Sequence, residues 1–329
     1  MNFKCVTIIV PCRNEVSYIE NFIFDILGQD LFDLDMEIII ADGDSEDGTR
    51  EILMKFASID SRIHWVNNPK KIVSTGLNLA VGNAMGDVVV RMDVHTRYAK
   101  DYVYQSARVL ANSDATCVGG AWLAKGFTPL QRVIAAAFQS PVGSGGAISR
   151  DINFSGRVDT VYLGAWRRDD LLQLGGFDEA LVRNQDDELC LRIHRQGGQV
   201  LQSNKIHSIY IPRESFKSLF KQFSQYGYWK IPVIKKHKVP GSMRHLAPFA
   251  FLLLLILLSI ASIFVSNAGA VLVMLLLIYF LGIFLGSKEQ LDTLMPEDPR
   301  WLTIVAVVVM HLGYAIGFGR GILDFLILR

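Results

Sequence analysis

Three polar clusters in this chain each follow an apolar run: Arg13-Asn14-Glu15 after CVTIIVPC, Asp42-Gly43-Asp44 after MEIIIA, and Asp93-Val94-His95 after DVVVRM. A buried strand gains nothing from such groups, so they serve a ligand or a local cap. A carboxylate and an imidazole two residues apart share one side if the strand continues to His95. That pair can hold a divalent cation whose open positions take diphosphate oxygens, and imidazole suits Mn2+ better than Mg2+. The plain alternative is Asp93 as a helix cap and His95 as a loop residue. Farther along, NQDDELCLRI carries Asp186, Asp187 and Glu188 in a row. They are either a source of a general base or an acidic first turn that favours the helix dipole. Arg167 and Arg168 in AWRRDD are either forked donors for an oxyanion or surface arginines at a helix start.

The elements that must position these groups alternate. CVTIIVP, MEIIIAD, RIHWVNN and DVVVRMD read as strands, and SYIENFIFDIL, SEDGTREILMKFA and IVSTGLNLAVGNAMG read as helices between them, the second opening on Ser45 and Asp47 as capping residues. Strand–helix alternation predicts an α/β fold with a mostly parallel sheet and helices on both faces. Ligands then bind beyond the carboxyl ends of the strands, which is where the three clusters fall. No GxGxxG follows the first strand and no GxxxxGK[ST] is present, so few backbone amides are offered to phosphate and a metal ion is the natural substitute.

The formal net charge of +1 gives no support to bulk nucleic-acid binding. The four cysteines show no CxxC pairing and read as reduced thiols. Composition changes after Arg244. Three apolar stretches, 246–265, 268–286 and 301–319, are each close to the ~20 residues that cross a bilayer core. Lys230, Lys235, Lys236, Lys238 and Arg244 precede the first, which predicts a multi-pass anchor in the cell membrane with the amino-terminal part on the cytoplasmic face. Arg320 and Arg329 oppose a simple third crossing, so a tilted or re-entrant last segment is an alternative. His311 within it is either functional or packed between helices. Phe216, Leu219, Phe220 and Phe223 recur at helical spacing, marking an amphipathic helix that lies on the inner leaflet or packs on the catalytic domain. The expected organisation is a catalytic domain over 1–212, an interfacial segment over 213–244 and a membrane domain over 245–329.

VTIIVPCRNE, IIIADGDSEDGT, GLNLAVGNAMGDVVVRMDVH and LGGFDEALVRNQDDELCLRIHRQG resemble, in order, segments of the family 2 inverting glycosyltransferases with the GT-A fold. With VDTVYLGAWRRDD and the apolar tail, the chain looks most like the succinoglycan-type exopolysaccharide members. The resemblance implies a UDP-sugar donor, a polyprenyl-diphosphate-linked saccharide acceptor and a divalent ion, Mn2+ or Mg2+. By position it implies that Asp42 meets uracil or ribose, and that Pro11, Arg13 and Glu15 form the nucleotide loop. Asp44 stands where many members carry glycine. Asn78 matches a helix asparagine, with Leu77 in place of the family's arginine. Asp93 matches the first carboxylate of the DxD motif, and His95 replaces the last. Asp186 matches the catalytic base, with Asp187 as runner-up, and Asp159, Trp166, Arg167 and Arg168 fall in the acceptor region. Gln225 to Trp229 resembles a QxxRW motif with Tyr228 in place of arginine, so Lys230 is left to supply the charge. Rival readings are transfer onto a polyprenyl monophosphate, as in the dolichol-phosphate mannose synthases, and a non-catalytic membrane-bound nucleotide-binding subunit.

Overall fold

The computed structural model describes residues 3–328; Met1, Asn2 and Arg329, including the charge weighed against a third crossing, lie outside the described residues. The chain forms two compact units, one of Met1–Leu123 with Ile148–Tyr210 and one of Ala124–Ala147 with Ile211–Arg329.

The first unit opens with β1 (Cys5–Cys12), α1 (Ile19–Leu27), β2 (Asp35–Asp42), α2 (Thr49–Ile59), β3 (Ile63–Asn67), α3 (Val73–Asn83) and β4 (Val88–Arg91). It continues through β5 (Thr96–Tyr98), α4 (Tyr102–Ala111), β6 (Cys117–Gly120) and β7 (Trp122–Ala124). After α5 (Pro129–Gln139) of the second unit the chain returns with β8 (Gly156–Arg157), β9 (Tyr162–Arg167), α6 (Arg168–Gln173), α7 (Gln185–Arg195), β10 (Val200–Gln202) and β11 (Ser208–Tyr210). The main sheet runs β3-β2-β1-β4-β9-β6-β10-β8, and β5-β11-β7 form a small second sheet. β9 and β8 run against their neighbours, and the pairs β1–β2, β1–β4, β2–β3 and β6–β10 are parallel.

Continuous apolar strands are what a sheet covered on both faces requires. Ile8, Val10, Ile38, Ile40, Val88 and Val90 pack with α1, α2 and α4 on one face. Their neighbours Ile9, Ile39 and Val89 pack with α3, α6 and α7 on the other. Each fully buried aliphatic side chain contributes about 1.5–3 kcal/mol, so this alternation also fixes the strand register. The helix ends differ in detail from the sequence pattern. Gly48 precedes the first turn of α2. Asp47 still serves the helix start, accepting from Thr49 N at 3.1 Å through Oδ1 while its Oδ2 accepts from Val16 N at 3.1 Å, and Ser45 is spent on the neighbouring loop, accepting from Asn14 N at 2.8 Å.

The second unit holds α5, α8 (Phe216–His237), α9 (Ala247–Phe264), α10 (Ser266–Gly286), α11 (Lys288–Asp292) and α12 (Trp301–Ile322). Three of its helical segments are long and apolar enough to cross a membrane: 18 residues over Ala247–Phe264, 21 over Ser266–Gly286 and 27 over Trp301–Ile327. The amphipathic face of α8 packs on α12 within this unit. Gly313, Gly317 and Gly321, one turn apart, face the carbonyls of Phe220, Ser224 and Tyr228, and Gly227 faces the carbonyl of Tyr314. Only a missing Cβ permits that approach between helices. Residues 124–147, placed with the catalytic domain by sequence, group here because α5 packs on α12 and its Arg132 forks onto Asp298 at 2.7–3.1 Å. His311 bonds the Val142 carbonyl at 3.1 Å and the Tyr279 hydroxyl at 2.9 Å. A carbonyl only accepts, so Nε2 carries the proton there. All four cysteines are free thiols.

Candidate active site

The carboxyl ends of β1, β2 and β4 and the start of β9 share one edge of the sheet. Cys12 pairs with Asp42, Ile9 with Arg91, and β9 begins at Tyr162 and runs back toward the opposite edge. Adjacent strands lie about 4.8 Å apart, so the β2 and β4 ends are roughly 10 Å from each other.

Asp42 is fully buried and accepts from Arg50 Nε at 2.8 Å and Ser45 N at 3.2 Å. Arg50 also reaches Asp44 at 3.2 Å and Asn67 at 2.9 Å, and Lys71 pairs with Asp44 at 2.8 Å. The hydrogen bond from Lys71, then its charge and Arg50, hold the Asp44 carboxyl below the usual carboxylate range. Asn14 and Asp44 both adopt positive φ, 54° and 59°. That lets the loop after β1 lie along the loop after β2, with Glu46 N donating to Asn14 Oδ1 at 3.0 Å and Glu15 N to Thr49 Oγ1 at 2.8 Å. The Arg13 side chain crosses Gly43, where an added Cβ would stand 3.1 Å from Arg13 Cβ. Pro11, Arg13, Glu15, Asp42 and Asp44 are therefore together.

Asp93 lies beyond the strand. β4 stops at Arg91, and Asp93 sits in a turn closed by Thr96 N donating to its carbonyl at 3.1 Å. The expected alternation of Asp93 and His95 along a continued strand does not occur, because the Tyr98 hydroxyl holds the Asp93 backbone on both sides, at 2.6 and 3.1 Å. His95 is exposed, with Nε2 2.9 Å from Glu15 and its ring edge-on to Tyr18. The Asp93 carboxylate takes a fork from Arg91, Nε to Oδ1 at 2.9 Å and Nη2 to Oδ2 at 3.0 Å.

Arg91, which ends the apolar run of β4, joins this edge although the sequence pattern did not single it out. It is 5% exposed, and its Nη1 has no hydrogen-bond partner among the described residues. Burial disfavours its charge, but Asp93 and then Asp186 more than offset this and keep it protonated. Its signal was available: an arginine ending the apolar run VVV must find a counter-ion.

Asp186 lies in the first turn of α7 and is half-buried. Burial, then the charge of Asp187, pushes its carboxyl up, and Arg91 opposes the shift. Asp187 is half-buried beside it, with its amide on Asp186 Oδ1 at 3.0 Å. Glu188, fully buried, pairs with Arg192 at 2.7 Å, and Arg192 donates onward to the carbonyls of Leu174 and Gly176, fixing the turn before α7. Tyr162, its hydroxyl 2.8 Å from Thr96 Oγ1, stands near enough for the Asp93 charge to add to the burial that raises its pKa.

The remaining sequence candidates have partners of their own. Asn78 binds the backbone of Phe177, accepting from N at 2.7 Å and donating to O at 2.8 Å, and so clamps α3 to the GGFDE turn. Trp166 is core, 1% exposed and edge-on to Phe177. Arg167 pairs across from Val88 at the opposite end of β4, and its guanidinium donates to the carbonyls of Leu110, Ser113 and Ala115 at 2.8–3.0 Å. Arg168 lies at that same edge, its amide on Asp87 O at 3.0 Å. The antiparallel course of β9 carries both arginines to the edge away from Asp93. Asp159 lies in the link before β9, where its carbonyl meets His194 at 3.3 Å. Gln225, Trp229 and Lys230 are on α8 in the second unit, Trp229 against Tyr228 and Phe325, and Lys230 4% exposed.

Among the described residues no group of three or more His, Cys, Asp or Glu is gathered as a metal centre. The donors nearest the β4 end are nonetheless a carboxylate and an imidazole, a set that accepts Mn2+ or Mg2+ when ligand oxygens complete it.

A family model described as glycosyl transferase family 2 matches residues 7–169. Over 97% of this chain and 95% of its own length, the succinoglycan biosynthesis protein ExoA of Rhizobium meliloti is 32% identical. A dolichyl N-acetyl-α-D-glucosaminyl phosphate 3-β-D-2,3-diacetamido-2,3-dideoxy-β-D-glucuronosyltransferase of Methanococcus voltae is 25% identical over 98% of each chain. The mannosyltransferase PcManGT of Pyrobaculum calidifontis, solved with GDP-Man and Mn2+, superposes with a TM-score of 0.64 over 93% of this chain and 86% of its own, at 19% identity, and shares the fold. With its sheet of GT-A type and a relative matched nearly end to end, the chain belongs to glycosyl transferase family 2 and is a glycosyltransferase of glycan biosynthesis.

Proposed function

We propose that the enzyme moves a sugar, with inversion, from a UDP-sugar to a saccharide carried on a polyprenyl diphosphate, working at the cytoplasmic face of the cell membrane. The observation that carries the reading is that Asp93, at the β4 end beside the loops of β1 and β2, is forked by the buried guanidinium of Arg91, with Asp186, remote in sequence, near enough for its charge to favour the same guanidinium. The loops bearing Pro11, Arg13, Glu15, Asp42 and Asp44 would hold the nucleotide. Asp186 would take the proton of the acceptor hydroxyl as that oxygen attacks the anomeric carbon. The bond from that carbon to the donor phosphate breaks, and UDP leaves with the electron pair. A carboxylate whose proton affinity is raised by burial is suited to this. A divalent ion bound by Asp93 and His95 would offset charge on the departing diphosphate.

A lipid-linked saccharide as acceptor is supported by the Methanococcus relative, whose name specifies a sugar on dolichyl phosphate. That name carries one phosphate, which favours a second reading in which the lipid link is a monophosphate. Gln225, Trp229 and Lys230 are the candidates for the lipid phosphate. The cytoplasmic orientation rests on Lys235, Lys236, Lys238 and Arg244 ahead of α9.

The test presents UDP- and GDP-sugars to membranes with bare polyprenyl phosphate and with lipid-linked mono- and disaccharides on one or two phosphates. Transfer only to a diphosphate-linked saccharide supports the proposal, and transfer to bare polyprenyl phosphate overturns it. Activity that survives EDTA rejects the metal.

A further inference from the structure

The fork from Arg91 to Asp93 is unusual in its setting. A guanidinium that is 5% exposed occupies both oxygens of the carboxylate expected to hold a divalent ion. The second expected ligand, His95, is itself engaged by Glu15 at 2.9 Å. A cation arriving alone would meet one carboxylate already neutralised by a guanidinium hydrogen-bonded to both its oxygens, a fixed positive charge close enough to repel it. The same ion arriving on a diphosphate brings its own oxygens and most of its charge already balanced.

We infer that Arg91 is a positioning residue that holds Asp93 as an ion pair until the donor arrives, so that divalent ion and nucleotide diphosphate enter together. The inference rests on the proposed donor chemistry. The unspent Nη1 of Arg91 fits this role. When a carboxylate oxygen turns to the incoming ion, the guanidinium has a further N–H with which to keep the pair. Nucleotide and metal must then raise one another's affinity by the same factor, because coupling between two sites is reciprocal.

The experiment titrates Mn2+ into the full-length protein in detergent, by calorimetry and by the loss of the free-ion paramagnetic signal, first alone and then with UDP or with GDP. The wild type should show no saturable Mn2+ binding alone and clear binding with one nucleotide, the two affinities coupled by about tenfold or more. Arg91→Met should gain Mn2+ binding without nucleotide, lose most of the coupling and lose transfer. Arg91→Lys keeps the charge, so it should still exclude the free ion while recovering part of the transfer. Saturable binding of Mn2+ to the nucleotide-free wild type overturns the inference, as does an absence of Mn2+ binding with either nucleotide. If Arg91→Met does not fold, the wild-type and Arg91→Lys titrations still decide. None of these titrations uses a lipid acceptor, so an error about the acceptor would leave their outcome untouched.

Discussion

Two forked arginine–aspartate pairs that are largely withdrawn from solvent, Arg132–Asp298 in the second unit and Arg91–Asp93 in the first, are finished differently. In the second unit Arg132 spends every nitrogen: Nε and Nη2 go to Asp298, and Nη1 donates to the Phe127 carbonyl at 3.0 Å. Asp298 also accepts from Met295 N at 3.0 Å. In the first unit Arg91 spends two nitrogens on Asp93 and leaves the third buried without a partner, in the field of Asp186. An unmet buried donor costs about 1–3 kcal/mol. A fold keeps such a cost where the group has other work to do. The completed pair is a fastening, and the incomplete one stands where the proposed chemistry would take place.

The largest test of that contrast removes the base. Asp186→Asn keeps shape and first-turn hydrogen bonding and should lower transfer by about 10²–10⁴-fold, since positioned proton transfer contributes that much. Nucleotide binding, read by calorimetry, should stay within a few-fold of the wild type. Retained transfer would remove Asp186 from the mechanism and point to Asp187.

Much of the first unit was legible because its strands are apolar on both faces and end abruptly in charge. Asp42, Arg13 and Glu15 could be placed at one edge from strand order alone. Arg167 could not, because the direction of β9 decides which edge it joins, and AWRRDD does not encode direction. The partner of Asn78 was hidden for a similar reason: the Phe177 backbone is remote in sequence. In the second unit the apolar spans were plain, but composition does not say which helix α8 meets. The Gly313-Gly317-Gly321 spacing held that answer, since a glycine on every turn of an apolar helix marks a close neighbour.

That spacing supplies the next largest effect. Gly317→Leu would drive a side chain into the Ser224 carbonyl of α8, an overpacking worth about 1–3 kcal/mol. The transition of the membrane unit in detergent should move down. Nucleotide binding by the first unit should persist, and an unchanged transition would deny α8 its place on α12.

Arg167→Gln gives a smaller change and tests what its placement at the far edge implies. Three carbonyls at the end of α4 and the start of β6 lose their donor, at about 1 kcal/mol for each bond not replaced by water. Thermal stability should fall while the KM for the lipid acceptor holds. A raised acceptor KM at unchanged stability would return Arg167 to the site.

The smallest effect is one of order along the pH axis. The Asp298 carboxyl is held low by the hydrogen bond from Arg132, against some desolvation. Its pairing therefore stabilises the fold above the unfolded carboxylate value of about 3.9, and that contribution fades only as pH falls through the lower folded value. Asp186 is displaced the other way. Its burial penalises the ionised form, so acidification relieves the fold there while removing the base. On lowering pH from neutrality, kcat should fall first, on a limb above the ordinary carboxylate range, while the melting transition of the wild type is still unchanged. Asp298→Asn should lower that transition by a few degrees at neutral pH and leave the kcat limb where it was. If melting and kcat declined together in the wild type, and Asp298→Asn shifted both, the two pairs would not be the separable fastening and reaction centre that their hydrogen bonding indicates.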